Sequence, residues 1–120
     1  LNLPILDPQV LHQCTDGDLA LAQEIYVQFH ETSSEDAAHI QVGLQFNDLR
    51  AVFEAAHRLK GSSRTVGALA IGACAARLEE AAHADDLVRA KQYLPALIEA
   101  HAELRAELTR LIQSQGSMGS

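Results

Sequence analysis

Tryptophan is absent from this 120-residue chain, and three phenylalanines with two tyrosines make up its whole aromatic content. Valine and isoleucine contribute only six residues each. Sheets are built from β-branched and aromatic side chains, so this composition argues against a β-sandwich or a parallel sheet. Cysteine occurs twice, at Cys14 and Cys74, a spacing that matches neither a metal site nor a redox motif. A reduced, cytoplasmic domain is the simpler expectation than a disulfide-bonded one. Positive charge is also scarce. Nine Lys and Arg stand against sixteen Asp and Glu, a net charge of −7, and such a chain is poorly suited to neutralising nucleic-acid phosphates. No apolar run approaches the roughly 20 residues of a membrane span. No basic leader precedes an apolar block, so nothing in the sequence marks secretion.

What the chain does have is helix-forming residues. Alanine supplies 20 positions and leucine 17, both strong helix formers. With 48% hydrophobic residues there is enough apolar material for one packed domain of ordinary size. The expected class is all-α. Residues 1–113 form the domain, and the Gly116-Ser117-Met118-Gly119-Ser120 ending reads as an appended linker, making 114–120 a flexible tail. The start at Leu1 and this ending suggest a domain excised from a longer protein.

Punctuation predicts six helical stretches. Asp7-Pro8 opens a short first one, an N-cap acceptor followed by proline at the first helical position, ending near Cys14. A second runs from Asp18 to His30, with Ala22, Ile25, Tyr26 and Phe29 on one face. Thr32 with Glu35 reads as a capping box opening a third, which carries Ala37, Ile40 and Leu44. Asn47 caps a fourth, with Leu49, Val52, Phe53, Ala56, Leu59, Ser63 and Val66 along its inner face and Gly67 at its end. A fifth carries Ile71, Cys74, Ala75, Leu78 and Ala82. Asp85 and Asp86 offer caps for the last, whose seam runs through Leu87, Ala90, Leu94, Leu97, His101, Leu104, Leu108 and Leu111 at alternating intervals of three and four. Pro95 lies in that run and predicts a kink or break over 91–95. The simplest burial of these stripes is an antiparallel four-helix bundle with one or two additional N-terminal helices.

The chemistry concentrates in Ala56-His57-Arg58-Leu59-Lys60-Gly61-Ser62-Ser63. The inner stripe centres near Val52 and Ala56, so at 100° per residue His57 falls on the flank of the helix, exposed. Its surface neighbours are Phe53 and Glu54 one turn before and Lys60 and Gly61 one turn after. An exposed imidazole is largely unprotonated at cytoplasmic pH and therefore nucleophilic. The neighbouring ammonium disfavours the imidazolium further and would steady a transferred phosphoryl group. A glycine inside a helix costs about 1 kcal/mol against alanine, so Gly61 needs a reason, and room for an incoming group is one. Arg50, Arg58, Lys60 and Arg64 against Glu54 make the stretch +3 in a chain whose remainder is −10. Such an island suits an acidic partner.

That run, followed by Val66-Gly67-Ala68 and Leu78-Glu79, resembles the histidine phosphotransfer (HPt) domain of bacterial multistep phosphorelays. Leu6-Asp7-Pro8 with Val10-Leu11, the helix ending in Phe29 and the late proline-interrupted helix extend the resemblance over most of the chain. It implies that His57 is the phospho-acceptor, taking a phosphoryl group from the phospho-aspartate of one receiver domain and passing it to an aspartate of a second. Lys60 would stabilise the phosphoryl oxygens and Gly61 would clear space for the docking receiver. Phe53, Glu54, Arg58, Arg64 and Glu79 are the expected binding residues around them. Register brings Glu79 or its neighbours to the depth of His57. His57 lies ten residues before Gly67, so the antiparallel helix faces it near residue 77. Ser63 falls inward and belongs to helix packing. His83 stands where the family more often has a longer basic side chain.

The resemblance further implies a monomer that binds receivers of a hybrid kinase or of a response regulator, with Mg2+ carried by the receiver and no cofactor or metal on this domain. A place as the cytoplasmic C-terminal module of a membrane sensor kinase would fit. It is a phosphocarrier rather than a kinase, since the chain has no glycine-rich nucleotide loop. Two alternatives are a chemotaxis-kinase-type histidine domain phosphorylated from ATP by a separate kinase domain, and a non-catalytic helical docking module. A di-iron bundle built on Glu54-x-x-His57 and Glu80-x-x-His83 is disfavoured, because the two histidines differ in depth by roughly 9 Å at 1.5 Å per residue. His101 is expected at the core edge, Cys74 as an inert buried thiol, and His12, His30 and His39 on the surface.

Overall fold

The computed structural model describes residues 3–118, with side chains as far as residue 111 and at 113. Five helices account for the regular structure of those residues: α1 Pro8–Thr15, α2 Leu19–Gln45, α3 Leu49–Val66, α4 Leu69–His83 and α5 Leu87–Met118. Helices α2 to α5 form the bundle, each packed on its chain neighbours and α5 closing back on α2, while α1 lies against α2 and α3. The fold is the expected four-helix bundle with one added N-terminal helix.

Each connection is set by local chemistry. Asp7 and Asp18 accept from the backbone N–H of Gln9 and Leu21 to cap α1 and α2. Asn47 was expected to cap α3. It instead takes a left-handed turn conformation (φ 57°), and the next residue, Asp48, caps the helix by accepting from Ala51 N–H. Asp85 and Asp86 divide the same labour, Asp85 turning left-handed and Asp86 accepting from Arg89 N–H to cap α5. Gly67 ends α3 at φ 79°, and a Cβ there would lie 2.7 Å from the Asp7 carbonyl oxygen. Both the backbone angle and the contact require glycine. Its own carbonyl accepts from Asp7 N–H at 2.8 Å, which ties the N-terminal segment to the α3–α4 turn.

The core is a continuous column of side chains that include Ile40, Val52, Leu59, Ile71, Leu78, Leu97 and Leu104, none of them measurably exposed. Alanines 55, 56, 75, 81 and 90 are equally buried, allowing close helix approach. Ser63 is buried against α4, where a Cβ on Gly72 would meet its Cβ at 3.3 Å.

The structure departs from the sequence reading at several places. The second and third predicted helices are one, α2, because Thr32, Ser33 and Ser34 do not cap anything. Their hydroxyls donate back to the carbonyls of Phe29 and His30, a bond that the helix interior tolerates. The buried stripe Phe29, Ser33, Ala37, Ile40 and Leu44 runs through the junction unbroken. Pro95 does not break α5. It lies exposed, as does Lys91 one turn before, so the carbonyl it leaves unpaired faces water. The C-terminal end of α5 continues as helix through 114–118, where a tail was expected, and Gly119 and Ser120 lie outside the described residues. Leu111, placed on the seam, is 37% exposed, because it lies beyond the end of α3 and α4.

His30 is also displaced from its expected place. Rather than lying on the surface, it stacks on His101 across the α2–α5 seam with ring centroids 5.0 Å apart, and its Nε2 is buried without a partner. The Nε2 atom of His101 hydrogen-bonds the Ser33 and Ser34 hydroxyls at 3.0 and 3.3 Å. Burial, then the charges of His30 and Arg105, hold His101 below the ordinary histidine value of 6.5. The folded state thus binds this proton less readily than the unfolded chain. Its contribution to stability is complete above pH 6.5 and is lost as pH falls below that value. Thermal unfolding followed from pH 8 to pH 5 is expected to show a falling midpoint, and His101→Gln is expected to flatten the fall. A midpoint independent of pH in both proteins would contradict this.

Candidate functional site

Residues 53, 57, 60 and 61 share one flank of α3, since intervals of three and four return a helix to the same side. The facing flank of α4 supplies Glu79. Its carboxylate accepts from both partners: His57 Nδ1 lies 2.6 Å from one oxygen and Lys60 Nζ 2.7 Å from the other. An ionised carboxylate has no hydrogen to give, so Nδ1 is the donor and carries the ring proton. In the neutral ring the lone pair is then on Nε2. The His57 side chain is 66% exposed, while Glu79 and Lys60 are 17% and 21% exposed, so a sheltered ion pair holds an accessible imidazole.

Burial pushes the Glu79 carboxyl up, but the hydrogen bonds from Lys60 and His57, reinforced by their charges, hold it below the ordinary 4.5. Glu79 is therefore an anion at neutral pH. Beside it Gly61 faces open space, with nothing but its chain neighbours and its own helix backbone within 4 Å of where a Cβ would stand. Phe53 lies on the other side of His57, its ring centroid 6.2 Å away and the two planes only 11° apart.

The remaining predicted residues fall outside this cluster. Arg58 points the other way and pairs with Asp36 of α2 at 3.2 Å. Glu54 is exposed and pairs with Arg50 at 3.4 Å. Arg64 is exposed on the last turn of α3. The basic island is consequently weaker in the fold than along the chain: its four cations meet Glu54, Asp36 and Glu79 and leave a net charge of +1. Asp36 was missed by sequence reasoning, yet the register could have found it. Asp36 and Arg58 each lie eleven residues from Asn47, the centre of the α2–α3 turn, just as Glu79 and His57 straddle the α3–α4 turn. His83, at the end of α4, was singled out without a role and stands with its ring 5.8 Å from that of Phe53.

Among the described residues no group of three or more His, Cys, Asp or Glu is gathered to hold a metal ion. The two cysteines are free; burial pushes the Cys74 thiol up, with Arg77 opposing. No helix among the described residues is long and apolar enough to cross a membrane.

This arrangement can present a nucleophilic nitrogen beside a cation and a clear approach. Comparison with known proteins gives it a family. The Hpt domain model matches residues 24–114, which include both the α3 motif and Glu79. The chain belongs to the Hpt domain family. Its fold is also similar to the crystal structure of histidine-containing phosphotransfer protein B (HptB) from Pseudomonas aeruginosa PAO1. That similarity has a TM-score of 0.85 and 26% sequence identity, and it covers 92% of this chain and 96% of that one. No curated protein sequence matches the chain. As an Hpt domain the protein is a histidine phosphotransfer module of phosphorelays, a family whose members interact with receiver domains.

Proposed function

We propose that His57 is the phosphoryl carrier, taking the group from a receiver phospho-aspartate and delivering it to the aspartate of a second receiver. The observation that supports this best is the Nδ1 hydrogen bond to Glu79. It leaves the Nε2 lone pair facing solvent on a highly exposed ring. In the forward step Nε2 bonds to phosphorus as the phosphorus–oxygen bond to the donor aspartate breaks, and that aspartate leaves as a carboxylate. The ring keeps its Nδ1 proton and becomes cationic, which the Glu79 carboxylate opposite favours. The second transfer reverses these changes on the next receiver.

Lys60 would hold the phosphoryl oxygens, exchanging part of its contact with Glu79, since phosphoryl transfer depends chiefly on positioning and charge stabilisation. Gly61 would admit the receiver backbone. Magnesium would come with the receiver, whose acidic cluster holds it, and no metal of this domain's own enters the step. Phe53 and Arg64 would border the docked partner, with Glu54 at the rim, while Arg58, turned toward Asp36 of α2, would stand away from it. The setting would be the cytoplasm, with the domain acting as a monomer, free-standing or as a module of a sensor kinase.

The donor is tested by mixing the domain with a receiver phosphorylated by a small-molecule donor and a second, unphosphorylated receiver. Label is expected to pass through the domain to the second receiver without ATP. Label that enters only from ATP through a separate kinase domain would support the chemotaxis-type reading instead.

A further inference from the structure

We propose that His83 is a positioning residue for the phosphoryl-accepting imidazole and that it acts through the ring of Phe53. The proposal rests on His57 being the carrier. Three rings follow one another across the α3–α4 face: His57 to Phe53 at 6.2 Å, and Phe53 to His83 at 5.8 Å with planes inclined by 38°. Both separations lie in the range of roughly 4.5–7 Å where aromatic rings attract. Phe53 and His57 are four residues apart on α3, and Glu79 and His83 are four apart on α4. The two helices thus set Glu79 opposite His57 and His83 opposite Phe53, the first holding the edge of the imidazole and the second the ring beside it.

The hydrogen bond to Glu79 fixes His57 at one atom, Nδ1, and a ring held at one atom can still swing about that contact. The nearly parallel face of Phe53 closes one side of the swing. Phe53 is itself half-buried, with its inner part against the core, and His83 lies against its ring from α4. His83 is itself exposed, so losing it would leave Phe53 anchored on its inner side but free its outer edge, and through it the direction of Nε2. A competing role exists for His83, because a histidine in the last turn of a helix also complements the carbonyl end of that helix by charge. The two roles separate by substitution: His83→Lys keeps a charge without a ring, and His83→Phe keeps a ring without a charge.

The test measures single-turnover transfer from a phosphorylated receiver, together with the His57 ring resonances by NMR. His83→Ala and His83→Lys are expected to slow transfer at saturating receiver by about tenfold, short of the roughly hundredfold that a 1 Å misplacement of reacting atoms carries. The receiver concentration for half-maximal rate should stay unchanged, and His83→Phe should restore the rate. The His57 resonances should move in the first two variants and return in the third. Full activity in His83→Lys with loss in His83→Phe would overturn the ring contact in favour of the charge, and unmoved resonances in all three would overturn it outright. A wild-type domain that takes no phosphoryl group while its resonances respond as described would leave the ring contact standing and remove the carrier reading.

Discussion

Replacing Gly61 by leucine is expected to lower phosphoryl transfer from a receiver by roughly a hundredfold, the scale of a 1 Å misplacement of reacting groups, with no loss of thermal stability. The two halves of this expectation come from the same observation. Apart from the chain neighbours and the backbone of α3 itself, nothing lies within 4 Å of a Cβ built at Gly61, so a side chain there starts out into open space. Glycine in a helix interior is about 1 kcal/mol less favourable than alanine, so a substitution there should if anything stabilise α3. A docked partner is different. The open space adjoins Lys60 and the turn that carries His57, and a branched side chain would stand where the receiver must come. Transfer kinetics beside a thermal melt separate the two effects. Lost stability with normal transfer would make Gly61 a packing residue.

The largest effect on the fold is expected for Leu59→Ala, at roughly 2–5 kcal/mol. Leu59 has no exposed surface, and it sits two residues from His57 on the opposite flank of α3. Truncating it leaves a cavity at the centre of the bundle, lined by groups that α3 and its neighbours cannot bring together without moving. Urea unfolding measures the loss. Below the midpoint the variant should still take a phosphoryl group, because the His57, Glu79 and Lys60 contacts lie on the outer face. A destabilisation below 1 kcal/mol would mean that the core relaxes around the deletion far more freely than its packing indicates.

The geometry of the candidate site was legible in the sequence because it is built from helix periodicity. Intervals of three and four placed Phe53, Lys60 and Gly61 around His57, and counting outward from Gly67 reached residue 77, with Glu79 or its neighbours at that depth. The capping chemistry of Asp7 and Asp18 and the stop at Gly67 were equally local, hence readable. What escaped was decided across helices. Thr32 to Glu35 has the composition of a cap, and only the continuous burial of Phe29, Ser33 and Ala37 shows that the hydroxyls bond back into an uninterrupted helix. The stacking of His30 on His101 depends on two helices 71 residues apart in sequence, with no motif to announce it. The charge of the basic stretch was overstated for the same reason, since Asp36 and Glu79 reach it from neighbouring helices.

The carrier role of His57 is tested most directly by intact mass after incubation with a small phosphoryl donor, comparing wild type with His57→Gln. One phosphoryl adduct is expected on the wild-type domain, labile in acid and stable in alkali, and none on the variant, whose helical content should be unchanged. An adduct that persists in His57→Gln, or a wild-type domain that acquires none, would contradict the assignment.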